Sequence, residues 1–233
     1  MQILVTRPQD DGAETAAALA RMGHQAVLAP LLSAHFFDGP QLVLDDVQAI
    51  LATSANGVRA LARRTNHRGL PIFAVGPQTA DQARKAGFGD VRSADGDARA
   101  LAAATAGWAL PENGALLHVC GEEAPGKLAD NLAERGFRVR RCVLYRMDAA
   151  TSLPPDVRVA LADGALDAAM FFSPRSARIF RSLASDLSEG LSEQRLLALC
   201  ISQATADALM PLHFAQVRVA TTPNQAAMLS MVA

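Results

Sequence analysis

One pattern recurs along the whole chain: a short apolar run, a polar turn bearing a hydroxyl, an alanine- and leucine-rich amphipathic stretch, then often a glycine before the next apolar run. Short apolar runs fit strands and the longer amphipathic stretches fit helices. Their alternation dictates a mostly parallel sheet with helices on both faces, because parallel strands need crossovers and the crossovers cover the sheet. The expected order opens with strand 2–6, a helix over about 10–22 closed by Gly23, and strand 24–29. Strand 47–53 follows, then a helix through Ala60-Leu61-Ala62, and strand 71–75 running through Gly76-Pro77-Gln78-Thr79 into a helix that stops at Gly87. Strand 91–93, a helix capped near Asp95–Asp97, strand 115–120, helix 126–135 and strand 137–144 come next. The last third repeats the theme, with strands at 167–172, 196–201 and 216–220.

Three stretches in the first part of the chain have partners far along it. Asp46–Ser54 resembles Leu166–Ser173, Ala74–Ala80 resembles Cys200–Ala206, and Met22–Val27 resembles Arg135–Val139. The chain therefore reads as two copies of one α/β domain. A simple boundary falls in 107–114, where Pro111 and Gly114 interrupt the pattern. The runs 27–36 and 139–147, however, outlast an ordinary core strand, so they can instead bridge the copies as a two-stranded ladder and leave one domain discontinuous.

Composition narrows the partners. Half the residues are apolar, 19% are charged and the formal charge is −1, with no Lys/Arg block longer than two. Nothing here supplies the basic footprint that nucleic acid or an anionic membrane requires. No stretch approaches the ~18 apolar residues of a membrane span, and the start, Ile3-Leu4-Val5, lacks a signal-peptide pattern. Cys120, Cys142 and Cys200 form an odd set without Cys-x-x-Cys spacing and read as buried free thiols in a reducing compartment. A cytoplasmic protein is expected, and a monomer, since no long exposed apolar stripe is evident.

Six strand-to-helix turns carry small polar or basic side chains: Thr6-Arg7-Pro8, Ser54-Ala55-Asn56, Gly76-Pro77-Gln78-Thr79, Gly121-Glu122-Glu123, Ser173-Pro174-Arg175-Ser176 and Ser202-Gln203-Ala204-Thr205. In an open parallel sheet they gather at the carboxyl edge, where ligands bind, and helix starts attract anions. Each hydroxyl taken alone is an ordinary helix cap. Taken together, two such edges facing each other suit a large polyanion clasped between domains. Gly121-x-x-x-x-Gly126-Lys127 approaches a phosphate-binding loop, but Leu128 stands where the Mg²⁺-ligating hydroxyl belongs, and Glu122 and Glu123 oppose phosphate. Five scattered histidines show no metal-ligand spacing, and no Gly-x-Ser-x-Gly elbow exists. Tyr145, the one tyrosine, is either a half-buried packing residue or a proton donor bordering the cleft.

Leu4–Pro8, Leu51–Val58, Ala74–Ala80, Leu144–Arg146, Phe171–Ser176 and Thr222-Pro223, in that order and spacing, resemble the uroporphyrinogen-III synthase family along essentially the whole chain. The resemblance implies two flavodoxin-like parallel-sheet α/β domains joined by a two-stranded β-ladder linker, one formed by 1–33 plus 148–233 and the inserted one by 34–147. It implies cyclisation of hydroxymethylbilane, a linear tetrapyrrole polycarboxylate, to uroporphyrinogen III with inversion of ring D and loss of water, and it requires no metal or cofactor. Carried over to this sequence, Thr79 and Thr205 match the family's turn threonines, and Tyr145 matches the residue thought to assist the leaving group. Arg7, Ser54, Asn56, Ser173, Arg175 and Ser202 match substrate-gripping turns. Ser202 stands where the second Gly-x-x-Thr turn carries glycine, and Glu122–Pro125 replaces a Gly/Arg-rich loop. The readings that stay open beside this one are a non-catalytic two-domain ligand-binding relative and, third, a phosphate-loop nucleotidase.

Overall fold

The computed structural model describes residues 1–124, 127–187, 191 and 195–232. The protein packs as two compact units, Met1–Ser33 with Asp148–Ala233, and Ala34–Met147. We call the discontinuous one unit 1 and the continuous one unit 2.

Unit 1 is built on β1 (Gln2–Val5), β2 (Gln25–Leu28), β9 (Ala168–Phe171), β10 (Leu197–Cys200) and β11 (Gln216–Val219). They lie side by side in the order β2-β1-β9-β10-β11, and every pairing is parallel. Numbered within the unit this is 2-1-3-4-5, the flavodoxin-like winding. Helix α1 (Gln9–Arg21) and the C-terminal α9 (Gln225–Ser230) cover one face, where Ile3, Val5, Leu19, Met170 and Met228 are buried together. The opposite face buries Leu4, Ala169, Phe171 and Cys200 beneath α6 (Pro155–Ala162) and α7 (Pro174–Leu183), with Phe171 edge-on to Phe180 at 5.0 Å. Alternate residues of β1 and β9 thus enter opposite cores, so these strands read as unbroken apolar runs.

The sheet of unit 2 is made by β3 (Leu32–Phe36), β4 (Val47–Ala52), β5 (Ile72–Ala74), β6 (Val91–Ser93), β7 (Ala115–Gly121) and β8 (Val139–Ala149), in the order β3-β8-β7-β4-β5-β6, with β3 and β8 each crossing the unit boundary by two residues. The pairings from β8 through β6 are parallel. Ile50 and Ala52 point with Leu117 and Val119 towards α2 (Ala55–Arg64) and α3 (Pro77–Lys85), while Ala49 and Leu51 join Phe73 beneath α4 (Ala98–Trp108) and α5 (Lys127–Ala133). The repeated stretches occupy equivalent places: β4 matches β9, the turn after β5 matches the turn after β10, and the approach to β8 matches the approach to β2. Unit 2 is therefore the same winding with its chain order permuted.

The expected strand and helix centres all appear, with ends displaced by a residue or two except in β8, which runs five residues beyond the expected end at 144. The run 27–36 is not one strand. It breaks between Leu28 and Leu32, where Pro30 interrupts it, so β2 and β3 belong to different sheets. Strand β8 does run unbroken for 11 residues, past Tyr145 to Ala149. Phe37 N–H donates to Leu144 O and Ala150 N–H donates to Leu31 O; one partner rises in sequence as the other falls, which is antiparallel pairing. These two segments carry the chain from one unit to the other. Cys120 and Cys200 are buried, whereas Cys142 is half-buried, packed against the edge of the core that holds Leu144 and Tyr145; all three thiols are free. Among the described residues no helix is long and apolar enough to cross a membrane.

Ile50, fully buried on central strand β4, supplies a test of this packing. Ile50→Ala is expected to lower the unfolding free energy by about 3 kcal/mol in urea titration, whereas Val43→Ala, at a site 67% exposed, should change it by less than about 0.5 kcal/mol.

Candidate functional site

Parallel pairing places all the carboxyl ends of a sheet's strands at one edge, and each expected turn lies there. In unit 1, β1 and β9 are neighbours that wind away from one another, so the crevice between their turns is the switch point of the sheet. Thr6 Oγ1 donates to Met170 O at 2.7 Å, closing the β1 turn onto β9. Arg7 follows and is 7% exposed. Its guanidinium faces Asp11 at 3.2 Å, donates to Gln225 Oε1 at 2.6 Å and to Thr15 Oγ1 at 3.3 Å, and stacks on the Phe172 ring at 4.5 Å. The first turn is thereby tied to both α1 and α9.

Ser173 caps α7, accepting from Ser176 N–H at 3.1 Å, and its hydroxyl meets Ser176 Oγ at 2.5 Å. Arg175 is half-buried on the same turn. Ser202 does the same for α8 (Gln203–Asp207), with its hydroxyl 3.0 Å from that of the fully buried Thr205. The serine of this turn therefore engages the threonine directly.

The matching edge of unit 2 is arranged differently. Its switch point lies between β4 and β7, at Ser54 and Gly121. Ser54 Oγ caps α2 by accepting from Gly57 N–H at 3.0 Å, and it lies 2.7 Å from the phenol oxygen of Tyr145. Tyr145 is on β8, two strands from β4, so its ring must pass over β7 to reach Ser54. Gly121 makes the passage possible. It pairs with Tyr145 after a shift in register, and a Cβ there would sit 2.9 Å from Tyr145 Cζ. Burial pushes the phenol's pKa above its ordinary value, while the bond to Ser54 pulls the other way. Asn56 accepts from Arg59 at 2.7 Å and donates to Met147 Sδ at 3.5 Å.

The third hydroxyl turn, Gly76–Thr79, opens α3 with Gly76 at the cap position, where no side chain can take the first amides. A Cβ on Gly76 would meet nothing within 4 Å, so the helix start is open on that side. Thr79 lies in the first turn of α3 and is buried at 5% exposure. An open helix start with a nearby threonine can receive a carboxylate.

Sequence reasoning placed these turns on the sheet edges but missed two relations. The Ser54–Tyr145 bond and the role of Gly121 depend on which strand lies between β4 and β8, which no local pattern states. Arg141 was also missed: it donates to Glu122 O at 3.2 Å and to Ala124 O at 2.8 Å, pinning the loop after β7. The phosphate-loop resemblance turns on Gly126, which with Pro125 lies outside the described residues; Lys127 is exposed at the start of α5. No three His, Cys, Asp or Glu side chains among the described residues gather as a metal-binding set.

His118 is buried on β7 with Nε2 3.3 Å from Thr53 Oγ1. Burial, with Arg141 nearby, pushes its pKa down to about 4, so the ring is neutral at pH 7. The unfolded chain binds this proton near pH 6.5 and the folded chain resists it until about pH 4, so the contribution is intact above pH 6.5 and is lost as pH falls through that window. Between pH 7 and pH 5 the parent should lose about 2 kcal/mol of unfolding free energy through this group. Chemical denaturation at both pH values should show that part of the loss missing from His118→Gln.

The family model described as uroporphyrinogen-III synthase HemD matches residues 13–230. A comparison with curated proteins found no match. Among solved structures, a uroporphyrinogen-III synthetase from Helicobacter pylori is similar with a TM-score of 0.64 and 18% identity, covering 99% of this chain and 97% of that one. A mutant uroporphyrinogen III synthase from the extremely thermophilic bacterium Thermus thermophilus is similar with a TM-score of 0.53 and 21% identity, covering 100% of this chain and 97% of that one. At these identities the likeness concerns the fold.

Proposed function

The chain belongs to the uroporphyrinogen-III synthase family, and from that premise we propose that it cyclises hydroxymethylbilane to uroporphyrinogen III, inverting ring D and releasing water. The observation that carries this reading is the family match over residues 13–230, and the hydroxyl-bearing turns on the carboxyl edges of both sheets support it. In reaction terms the protein is a cyclising hydro-lyase of tetrapyrrole and haem biosynthesis. We take it to act as a monomer in the cytoplasm, where three free thiols stay reduced.

The substrate cyclises by itself to the uninverted isomer, so the enzyme has to favour one geometry more than it has to lower a barrier. Loss of the terminal hydroxyl as water leaves an azafulvene cation. The substituted carbon of ring D attacks it, and the resulting spiro intermediate fragments and recloses. Acetate and propionate groups are held by helix starts and hydroxyls: the open start of α3 with Thr79, Asn56 in the turn that Ser54 caps, and the turns of Ser173 with Arg175 and Ser202 with Thr205. Arg7 serves this binding by fixing the first turn, since its guanidinium is engaged with Asp11, Thr15 and Gln225. Tyr145 gives its proton to the departing hydroxyl. The raised pKa keeps that proton in place at neutral pH, and the reaction needs no resident cofactor.

Fresh hydroxymethylbilane supplied to the protein, with the uroporphyrin isomers then resolved, tests the reading. Type III is expected; type I alone, as in the enzyme-free control, would leave a non-catalytic binding protein as the better description. Tyr145→Phe should lower turnover roughly 10²-fold, and turnover within about twofold of the parent would assign Tyr145 to packing.

A further inference from the structure

We propose that Ser54 is a positioning residue for Tyr145: anchored by the first turn of α2, its hydroxyl holds the phenol over Gly121 and donates to the phenol oxygen once that oxygen has surrendered its proton. The inference rests on the general-acid reading of Tyr145 given above. It assigns Ser54 a task other than gripping a substrate carboxylate.

Geometry and hydrogen-bond inventory carry it together. Ser54 Oγ accepts from Gly57 N–H at 3.0 Å and lies 2.7 Å from Tyr145 Oη. The amide uses a lone pair of Oγ and leaves the hydroxyl's own proton available. While Tyr145 is neutral, either oxygen can donate. When the proton passes to the leaving hydroxyl and water departs, only Ser54 can, and it does so from the positive end of the α2 dipole. The proton released as the macrocycle recloses then restores the phenol. A tyrosine buried to 8% exposure needs such a donor, because burial disfavours its anion.

The matching caps in unit 1 lack this arrangement. Ser173 meets Ser176 at 2.5 Å and Ser202 meets Thr205 at 3.0 Å, so their hydroxyls are paired inside their own turns. In unit 2 the residue three after Ser54 is Gly57, which has no hydroxyl and where a Cβ would strike Val119 O at 2.9 Å. The cap is thereby left to face β8. Gly121 completes the device, since a Cβ there would press on the ring at Cζ and Cε2, at 2.9 and 3.0 Å.

Tyr145 is the only tyrosine in the chain, so protein labelled with ¹³C at the oxygen-bearing ring carbon of tyrosine gives one resonance that reports this phenol alone. Ser54→Gly removes the hydroxyl yet keeps a residue tolerated at a helix cap. It is expected to move the resonance at neutral pH and to raise its alkaline titration midpoint by about one pH unit. It should also lower kcat about tenfold while leaving KM within about twofold. Ser54→Thr should restore all three, and Gly121→Ala, which keeps every hydroxyl, should displace the resonance and lower kcat. A Ser54→Gly protein whose resonance and midpoint coincide with the parent's, or whose KM rises while kcat holds, overturns the proposal. Parental kcat in Tyr145→Phe would instead overturn the general-acid reading and leave the Ser54–Tyr145 bond, read from the resonance, standing.

Discussion

Parallel strand pairing governs everything else in this protein. Parallel neighbours cannot be joined by a tight turn, so each strand must be followed by a crossover that returns along the sheet. The carboxyl ends therefore collect on one edge, and where a helix follows a strand it opens there with unsatisfied amides. That edge has to be furnished with hydroxyls, amides or glycines before any function is considered. Ser54, Ser173, Ser202 and Asn224 all accept from the amide three residues ahead. Pro8, Pro154 and Gly76 supply no side-chain cap, and of these Gly76 also leaves the approach to α3 clear.

The two units share a winding and diverge in how they use it. In unit 1 the cap hydroxyls pair with hydroxyls three residues on, and the one cation of the first turn is engaged with its own helices. These contacts make rigid turns. In unit 2 small residues occupy the corresponding places, Gly57 in one turn and Gly76 in the other, and the freed directions are filled by Tyr145 in the first and left open in the second. The phenol of Tyr145 thus meets the edge of one copy, while the edge of the other carries hydroxyls paired within their own turns. The two edges share a winding and differ at single glycines.

Much of the fold was legible because each element is coded locally. The period of the apolar residues, Gly23, Gly87 and Gly136 after helices, and Asp97 before one were enough to locate nearly every strand and helix. Similarity between distant stretches carried the duplication. The break at Pro30 was harder, since apolar residues continue on both sides and only sheet membership distinguishes β2 from β3. The site was legible as a set of turns and not as a set of contacts. Ser54 and Tyr145 are 91 residues apart, and nothing around either one names the other. Their meeting depends on strand order, on the register shift after Cys120 and on a missing side chain at Gly121, all of which are properties of the assembled sheet.

The insertion of one unit within the other has a consequence for biosynthesis. Strand β1 pairs with β9, and Gln2 N–H donates to Asp167, 165 residues away. A nascent chain that has just delivered β1 and β2 has none of β9 to β11 to bury them against. The strands and helices of 34–147 are synthesised as one uninterrupted block and can condense first. Once condensed, with β3 laid against β8, that block brings residues 33 and 148 alongside one another, which removes most of the loop-closure cost of joining the early strands to the late ones. The order of translation thus makes the inserted unit a scaffold on which its host is completed.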